Sequence, residues 1–166
     1  METTSNTELL RLGKTIGLKD IQIVSKKNIP ANGVRFIINL DSDGGGTHWV
    51  AMCIKGKNAF YMDPFGMSPP EAVKKWVKSK GLKGMHTTDQ LQDLDSQACG
   101  YFCLYFLKEM QQKTIFEFLA QFSIDTVKNE GIIGRFFGFR VYPHQDGGAM
   151  PAGFNNCPTD VQKVLF

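Results

Sequence analysis

Cys99 closes the run Gln92-Asp93-Leu94-Asp95-Ser96-Gln97-Ala98-Cys99-Gly100 and stands at the start of a long apolar stretch. That stretch, ACGYFCLYFLKEMQQK from Ala98 to Lys113, is too long for a strand and reads as a buried helix. A cysteine at the first turn faces unpaired backbone N–H groups and the positive end of the helix dipole, which stabilise a thiolate. Gly100 beside it leaves room for a substrate backbone to come close. The other reading of a reduced cysteine is a small buried apolar residue, and that reading suits Cys53, Cys103 and Cys157.

A thiolate nucleophile also needs a proton acceptor, usually histidine, held by a third group. His48 follows Gly44-Gly45-Gly46-Thr47 at the entrance to an apolar strand, whereas His86 lies in a polar stretch and His144 in a glycine-rich tail. Two strands, His48 to Ile54 and Ala59 to Met62, are joined by the turn Lys55-Gly56-Lys57-Asn58. With Gly56-Lys57 as a two-residue loop, Asp63 falls opposite Val50, on the face of His48 and diagonal to it. Diagonal neighbours are roughly 7–8 Å apart at the backbone, within reach of a carboxylate and an imidazole. An odd loop or a bulge would turn Asp63 to the other face, and Asp63-Pro64 also reads simply as a turn starter.

The elements around these residues alternate in type. Glu8 to Ile16 is a short amphipathic helix stopped by Gly17, and Ile21 to Val24 and Val34 to Leu40 are β-branched strands. Ser68-Pro69-Pro70-Glu71 has the pattern of a capping box ahead of a helix with Val73, Trp76 and Val77 on one side. Met85 to Thr88 is a further short strand. Thr114-Ile115-Phe116-Glu117 is a second capping box, and Ile124 to Phe137 reads as a helix interrupted near Gly131 and Gly134. This order predicts an α+β fold with a mostly antiparallel central sheet flanked by helices. One domain covers residues 1–142; residues 143–166 form a loop-like tail in which only Val161 to Phe166 is expected to dock.

Composition narrows the function classes. The 166 residues, 42% hydrophobic and 21% charged, can bury one sizeable core and argue against wholesale disorder or a coiled coil. No apolar run approaches the roughly 18 residues of a membrane-spanning helix, and METTSNTELL lacks the pattern of a secretory signal. The formal charge of +3 comes from scattered lysines and arginines, so a polyanion partner is permitted and not required. The cysteines lack zinc-ligand spacing, and no metal site is read.

Taken together, His48-Trp49, Asp63-Pro64-Phe65-Gly66, Gln92, Cys99-Gly100 and Phe102-Cys103 resemble the adenovirus maturation protease (adenain) family of cysteine proteases. That family shows Gly-Gly-x-His-Trp, an acid before Pro-Phe-Gly, and a Gln seven places ahead of Cys-Gly. The resemblance runs in order from about Glu8 to Lys113. The related SUMO- and ubiquitin-like-protein proteases share the His, Asp, Gln, Cys order, with the Gln one residue closer to the Cys.

The resemblance implies a cysteine endopeptidase that cleaves viral capsid or core precursors at glycine-containing sites during virion maturation. The source would be a DNA virus, a virophage or a related virus-like element. Cys99 would be the nucleophile, His48 the base and then the acid, Asp63 the group orienting His48, and Gln92 an oxyanion-hole donor beside the Cys99 N–H. The family usually carries Glu in the third position, so the shorter Asp63 allows for a longer or water-bridged contact. Gly45 and Gly46 would line the substrate groove by backbone pairing. Trp49 would stack near the cleft, with a core position as the equal alternative. Precursor proteins are the implied partners of a monomer that touches no membrane. It would be intracellular in an infected host and packaged in the virion, not secreted. DNA or a non-covalent activating peptide stays open as a cofactor; Lys83 to Gln90 holds no cysteine for a covalent one. A deubiquitinase-like or SUMO-protease-like enzyme would use the same residues, and a catalytically silent capsid-associated or DNA-binding protein is the alternative of a different class.

Overall fold

The computed structural model describes residues 4–41, 48–139 and 163–166. Within them the order is α1 (Asn6–Thr15), β1 (Ile21–Ser25), β2 (Arg35–Asn39), β3 (Trp49–Lys55), β4 (Asn58–Met62), α2 (Glu71–Ser79), β5 (Lys83–Thr87), α3 (Cys99–Glu109), α4 (Ile115–Leu119), α5 (Thr126–Phe137) and β6 (Lys163–Leu165). The strands form one six-stranded sheet in chain order. Three of its pairs are antiparallel, whereas β1–β2 and β4–β5 are parallel. The β4–β5 pair is parallel because α2 returns the chain to the end of the sheet from which β4 began. The fold is α+β, with helices on both faces.

Alternation along β3 sorts the two layers. Trp49, Ala51 and Cys53 join Ile37, Met62 and the residues of α3 in one core, also closed by Leu9 of α1. Val50 and Met52 join Phe36, Ile38, Ala59 and Tyr61 beneath Val73 and Val77 of α2 in the other. α3 is buried on every side from Cys99 to Leu107, which explains why its sequence is apolar all round rather than striped. Its first residue is thereby held in place by the whole core.

The β3–β4 hairpin has the expected register: Lys55 pairs with Asn58 and Ala51 with Met62, so the loop is Gly56-Lys57. The Thr114 capping box forms, with the Thr114 hydroxyl accepting from the Glu117 N–H and the Glu117 carboxylate from the Thr114 N–H. Two local expectations need correction. Ser68 does not cap α2, which has Pro70 as its N-cap and starts at Glu71. Pro69 precedes another proline and is pushed out of the helical region, so the chain stays extended past the intended box. Nor do Gly131 and Gly134 interrupt α5, which runs from its Asp125 cap to Gly138, where φ is +78°. Each helical glycine costs about 1 kcal/mol relative to alanine, an amount packing readily overrides.

Of the C-terminal stretch, β6 pairs antiparallel with β5, and Phe166 exchanges two backbone hydrogen bonds with Gly84. A side chain at Gly84 would collide with the Phe166 ring at 2.6 Å, so the bare glycine makes the seat for that ring. Among the described residues no helix is long and apolar enough to cross a membrane.

Candidate active site

The hairpin register carries His48 and Asp63 past the last paired residues of β3 and β4, to one end of the sheet. His48 is held by its backbone, its carbonyl accepting from the Leu40 N–H at 3.0 Å as a continuation of the β2–β3 ladder. Asp63 is held by a turn. The Gly66 N–H donates to the Asp63 carbonyl at 2.8 Å, and Asp, Pro and Gly occupy the positions that a type I turn favours. The plain turn-starter reading and the site reading of Asp63 are therefore both realised by one residue. Its Oδ1 accepts from the Phe65 N–H at 2.8 Å and from His48 Nε2 at 2.8 Å.

The contact between His48 and Asp63 is direct, so the shorter acid neither lengthens it nor needs a water bridge. Asp63 is 1% exposed, and its partner ring is stacked on Phe65 with centroids 4.5 Å apart and planes 15° from parallel. With Nε2 committed to Asp63, Nδ1 is the ring nitrogen left for the Cys99 thiol, whose hydrogen bonding and charge act on the ring. Burial draws the imidazole down, but the hydrogen bonds and charges of Asp63 and Cys99 outweigh it and raise His48 from 6.5 to about 9. The ring is therefore held as an imidazolium at neutral pH, beside a sulfur it can stabilise as a thiolate.

Cys99 is the first residue of α3, behind the N-cap Ala98. Its N–H belongs to the helical turn that makes no bond within the helix. Cys99 is 4% exposed and in no disulfide. Cys103 and Cys53 are buried in the sheet-facing core, where loss of water pushes Cys103 well up and Cys53 to about 12. Among the described residues no histidine acts on either thiol, which fits the reading of both as packing residues.

Gln92 reaches the same corner by a different route. The Leu91 and Gln92 N–H groups both donate to the Pro64 carbonyl, at 2.9 and 3.0 Å, tying the loop after β5 to the turn that holds Asp63. The Gln92 side chain is fully buried, and its Nε2 donates to the Ser96 carbonyl at 2.7 Å. That carbonyl dictates which end of the amide is nitrogen, and it leaves the amide a second N–H.

Several members of this corner were not singled out by sequence reasoning. Phe65 stacks the imidazole, the Pro64 carbonyl anchors the Gln92 loop, and Ser96 orients the amide. Gly66 sits at φ +77°, and a side chain there would meet the Thr88 carbonyl oxygen at 2.5 Å. The Pro-Phe-Gly triplet was the available signal, visible as a motif with no role attached.

Three expected groove residues fare differently. Gly45 and Gly46 lie outside the described residues. Trp49 is 1% exposed in the core, its indole N–H donating to the Thr4 carbonyl at 3.2 Å, so it takes the core alternative and presents no face to a cleft. At Gly100 a side chain would come within 2.1 Å of Thr4 Oγ1 and 2.9 Å of a Leu9 methyl. The space at Gly100 is filled by the chain's own N-terminal segment, which corrects the expectation that it admits substrate backbone.

No protein-family model matches the chain, and comparison with curated proteins found no match. Among solved structures, a crystal structure of Se-Met ASFV pS273R protease overlays with a TM-score of 0.48 at 23% identity, covering 66% of this chain and 46% of that one. A second crystal structure of ASFV pS273R protease gives 0.47 at 23% identity, covering 65% and 43%. The chain thus spans less than half the length of these neighbours. The functional reading rests on the geometry of the site itself.

Proposed function

We propose that the chain is a cysteine endopeptidase with Cys99 as nucleophile, His48 as base and then acid, Asp63 as the orienting carboxylate and Gln92 as an oxyanion donor. The observation that carries this reading is a single imidazole bonded to a buried carboxylate at 2.8 Å and raised by the thiol at the mouth of a buried helix. A structural histidine needs one partner; one that joins an acid to a thiol has the arrangement of an activated nucleophile.

The chemistry follows atom by atom. The Cys99 thiolate adds to the scissile carbonyl carbon, and the displaced electron pair goes to the carbonyl oxygen. The Cys99 N–H and the second Gln92 N–H stabilise that oxyanion, each such donor being worth typically about 2.7–4 kcal/mol in the transition state. His48 gives its proton to the departing amine as the C–N bond breaks, leaving a thioester. The now neutral His48 takes a proton from water, the hydroxide attacks the thioester, and collapse releases the acid and restores the thiolate–imidazolium pair. Asp63 keeps the ring in the tautomer and plane that both transfers require.

The substrates we propose are viral capsid or core precursor proteins cut at glycine-containing sites, in a member of the adenain-like group, because the His-Trp, Asp-Pro-Phe-Gly, Gln and Cys-Gly segments resemble that family. Incubation with such precursors, read by mass spectrometry, should give new termini next to glycine, and Cys99→Ala should give none. Full cleavage by Cys99→Ala, or intact precursors with the unaltered protein, would overturn the reading.

A further inference from the structure

Gln92 stands between two residues, Leu91 and Asp93, that line a space of which it is not itself a wall. A cavity of about 430 Å³ lies between the loop after β5, which contributes Asp89, Leu91 and Asp93, and the α4–α5 connection with the first residue of α5, which contribute Phe122, Ile124 and Thr126. Its walls are tied together. Asn129, fully buried, donates through Nδ2 to the Leu91 carbonyl at 3.1 Å and the Ser123 carbonyl at 2.7 Å, and accepts from the Ser123 N–H at 2.9 Å. The Thr126 hydroxyl adds a 3.4 Å bond to Asp93 Oδ2 across the gap. The space is thus a built feature of the fold.

Its chemistry is two-sided. Ile124 leaves 75% of its surface in water, and Leu94 and Val127, next in chain to wall residues, leave 69% and 46%. A large apolar wall residue left this exposed, as Ile124 is, marks a surface that something covers. The polar side is anionic. Among the described residues no cation pairs with Asp89 or Asp93, and burial pushes the Asp89 carboxyl up, as for a carboxylate that has lost water without gaining a counter-charge. The sequence accentuates this, since a chain with 19 lysines and arginines places none in 84–107 or 114–127, the segments that make both walls. Apolar walls with two uncompensated carboxylates fit a side chain with a long apolar stem and a cationic head.

We propose that this cavity is a specificity subsite for a lysine or arginine side chain of the polypeptide substrate, the stem against Phe122 and Ile124 and the head between Asp89 and Asp93. The proposal rests on the proteolytic reading and deepens it. The substrate class becomes a glycine-containing segment with a basic residue a short distance from the scissile bond, on the side of the cleft flanked by Gln92.

The test uses fluorogenic peptides with glycine next to the scissile bond, identical except that each flanking position carries lysine, arginine, norleucine or glutamate in turn. One position should favour lysine or arginine over norleucine by about tenfold in kcat/KM, the low end for a charge-assisted hydrogen bond at a partly exposed site. Asp89→Asn, at a residue with no hydrogen-bond partner among the described residues, should level that preference while leaving turnover of the norleucine peptide unchanged. Asp89→Lys should move the preference to glutamate. Cleavage without any basic preference, or with a preference that Asp89→Asn and Asp93→Asn both leave intact, overturns the subsite and spares the proteolytic reading. If no peptide is cleaved, binding of the same peptides to the full chain carrying Cys99→Ser, followed by fluorescence polarisation, separates the two ideas. Tighter binding of the lysine peptide, lost in Asp89→Asn, upholds the subsite without proteolysis; equal binding of lysine and norleucine peptides overturns it.

Discussion

Replacing Asp63 by Asn removes one negative charge from a buried position and keeps its shape, because an amide oxygen can still accept from the Phe65 N–H. In the native site burial lowers His48 while Asp63 and Cys99 raise it, with a net rise from 6.5 to about 9. That rise corresponds to about 3 kcal/mol in favour of the imidazolium. The desolvation persists in the variant and only Cys99 still opposes it, so without the Asp63 charge His48 falls back toward 6.5. A full return to 6.5 lowers the imidazolium fraction at pH 8 roughly thirtyfold from protonation alone. The reactive pair falls with it, and kcat/KM should drop by up to about that factor. The assay is kcat/KM against pH for a fluorogenic glycine-containing peptide. The native protein should show its alkaline limb near 9 and Asp63→Asn a limb displaced well below it, toward 6.5. A variant that keeps the limb near 9, or loses less than about threefold at pH 8, refutes the role given to Asp63.

The remaining expectations concern stability and the other parts of the site. His48 has a folded value above its unfolded one, so its contribution is complete below 6.5 and disappears as pH rises through about 9. Urea unfolding should lose up to about 3 kcal/mol across that window in the native protein, and Asp63→Asn should flatten the loss. Gln92→Ala should lower kcat by roughly 10²–10³ with KM little changed, as measured by steady-state kinetics, because the amide contributes only once the oxyanion forms. Gly66→Ala would force a side chain at φ +77° to 2.5 Å from the Thr88 carbonyl oxygen. It should cost about 1–3 kcal/mol in urea unfolding and lower kcat as well, since that turn anchors the Gln92 loop.

Much of the scaffold was legible in the chain. Alternating apolar residues and a two-residue turn were enough to set the β3–β4 register, and that register brings Asp63 beside His48. The apolar run after Ala98 identified a buried helix, and a thiol at the start of such a helix already has a special electrostatic position. These features depend on neighbours within a few residues or on simple periodicity, so local physics decides them.

Other features depended on which distant atoms fill a given space. Trp49 is a core residue and Gly100 a packing notch because Thr4, at the other end of the chain, lies against both. Neither the tryptophan nor the glycine carries a mark of that encounter. The stacking of Phe65 on His48 and the Pro64 carbonyl beneath the Gln92 loop likewise arise only when the end of β4, the loop after β5 and the head of α3 meet. The same holds for the cavity beside Gln92, whose two walls are more than twenty residues apart in sequence and are joined by Asn129. Residue type and spacing specify what each group could do. Burial and long-range contact decide which groups share a partner, because loss of water and the approach of opposite charge are properties of the assembled interior.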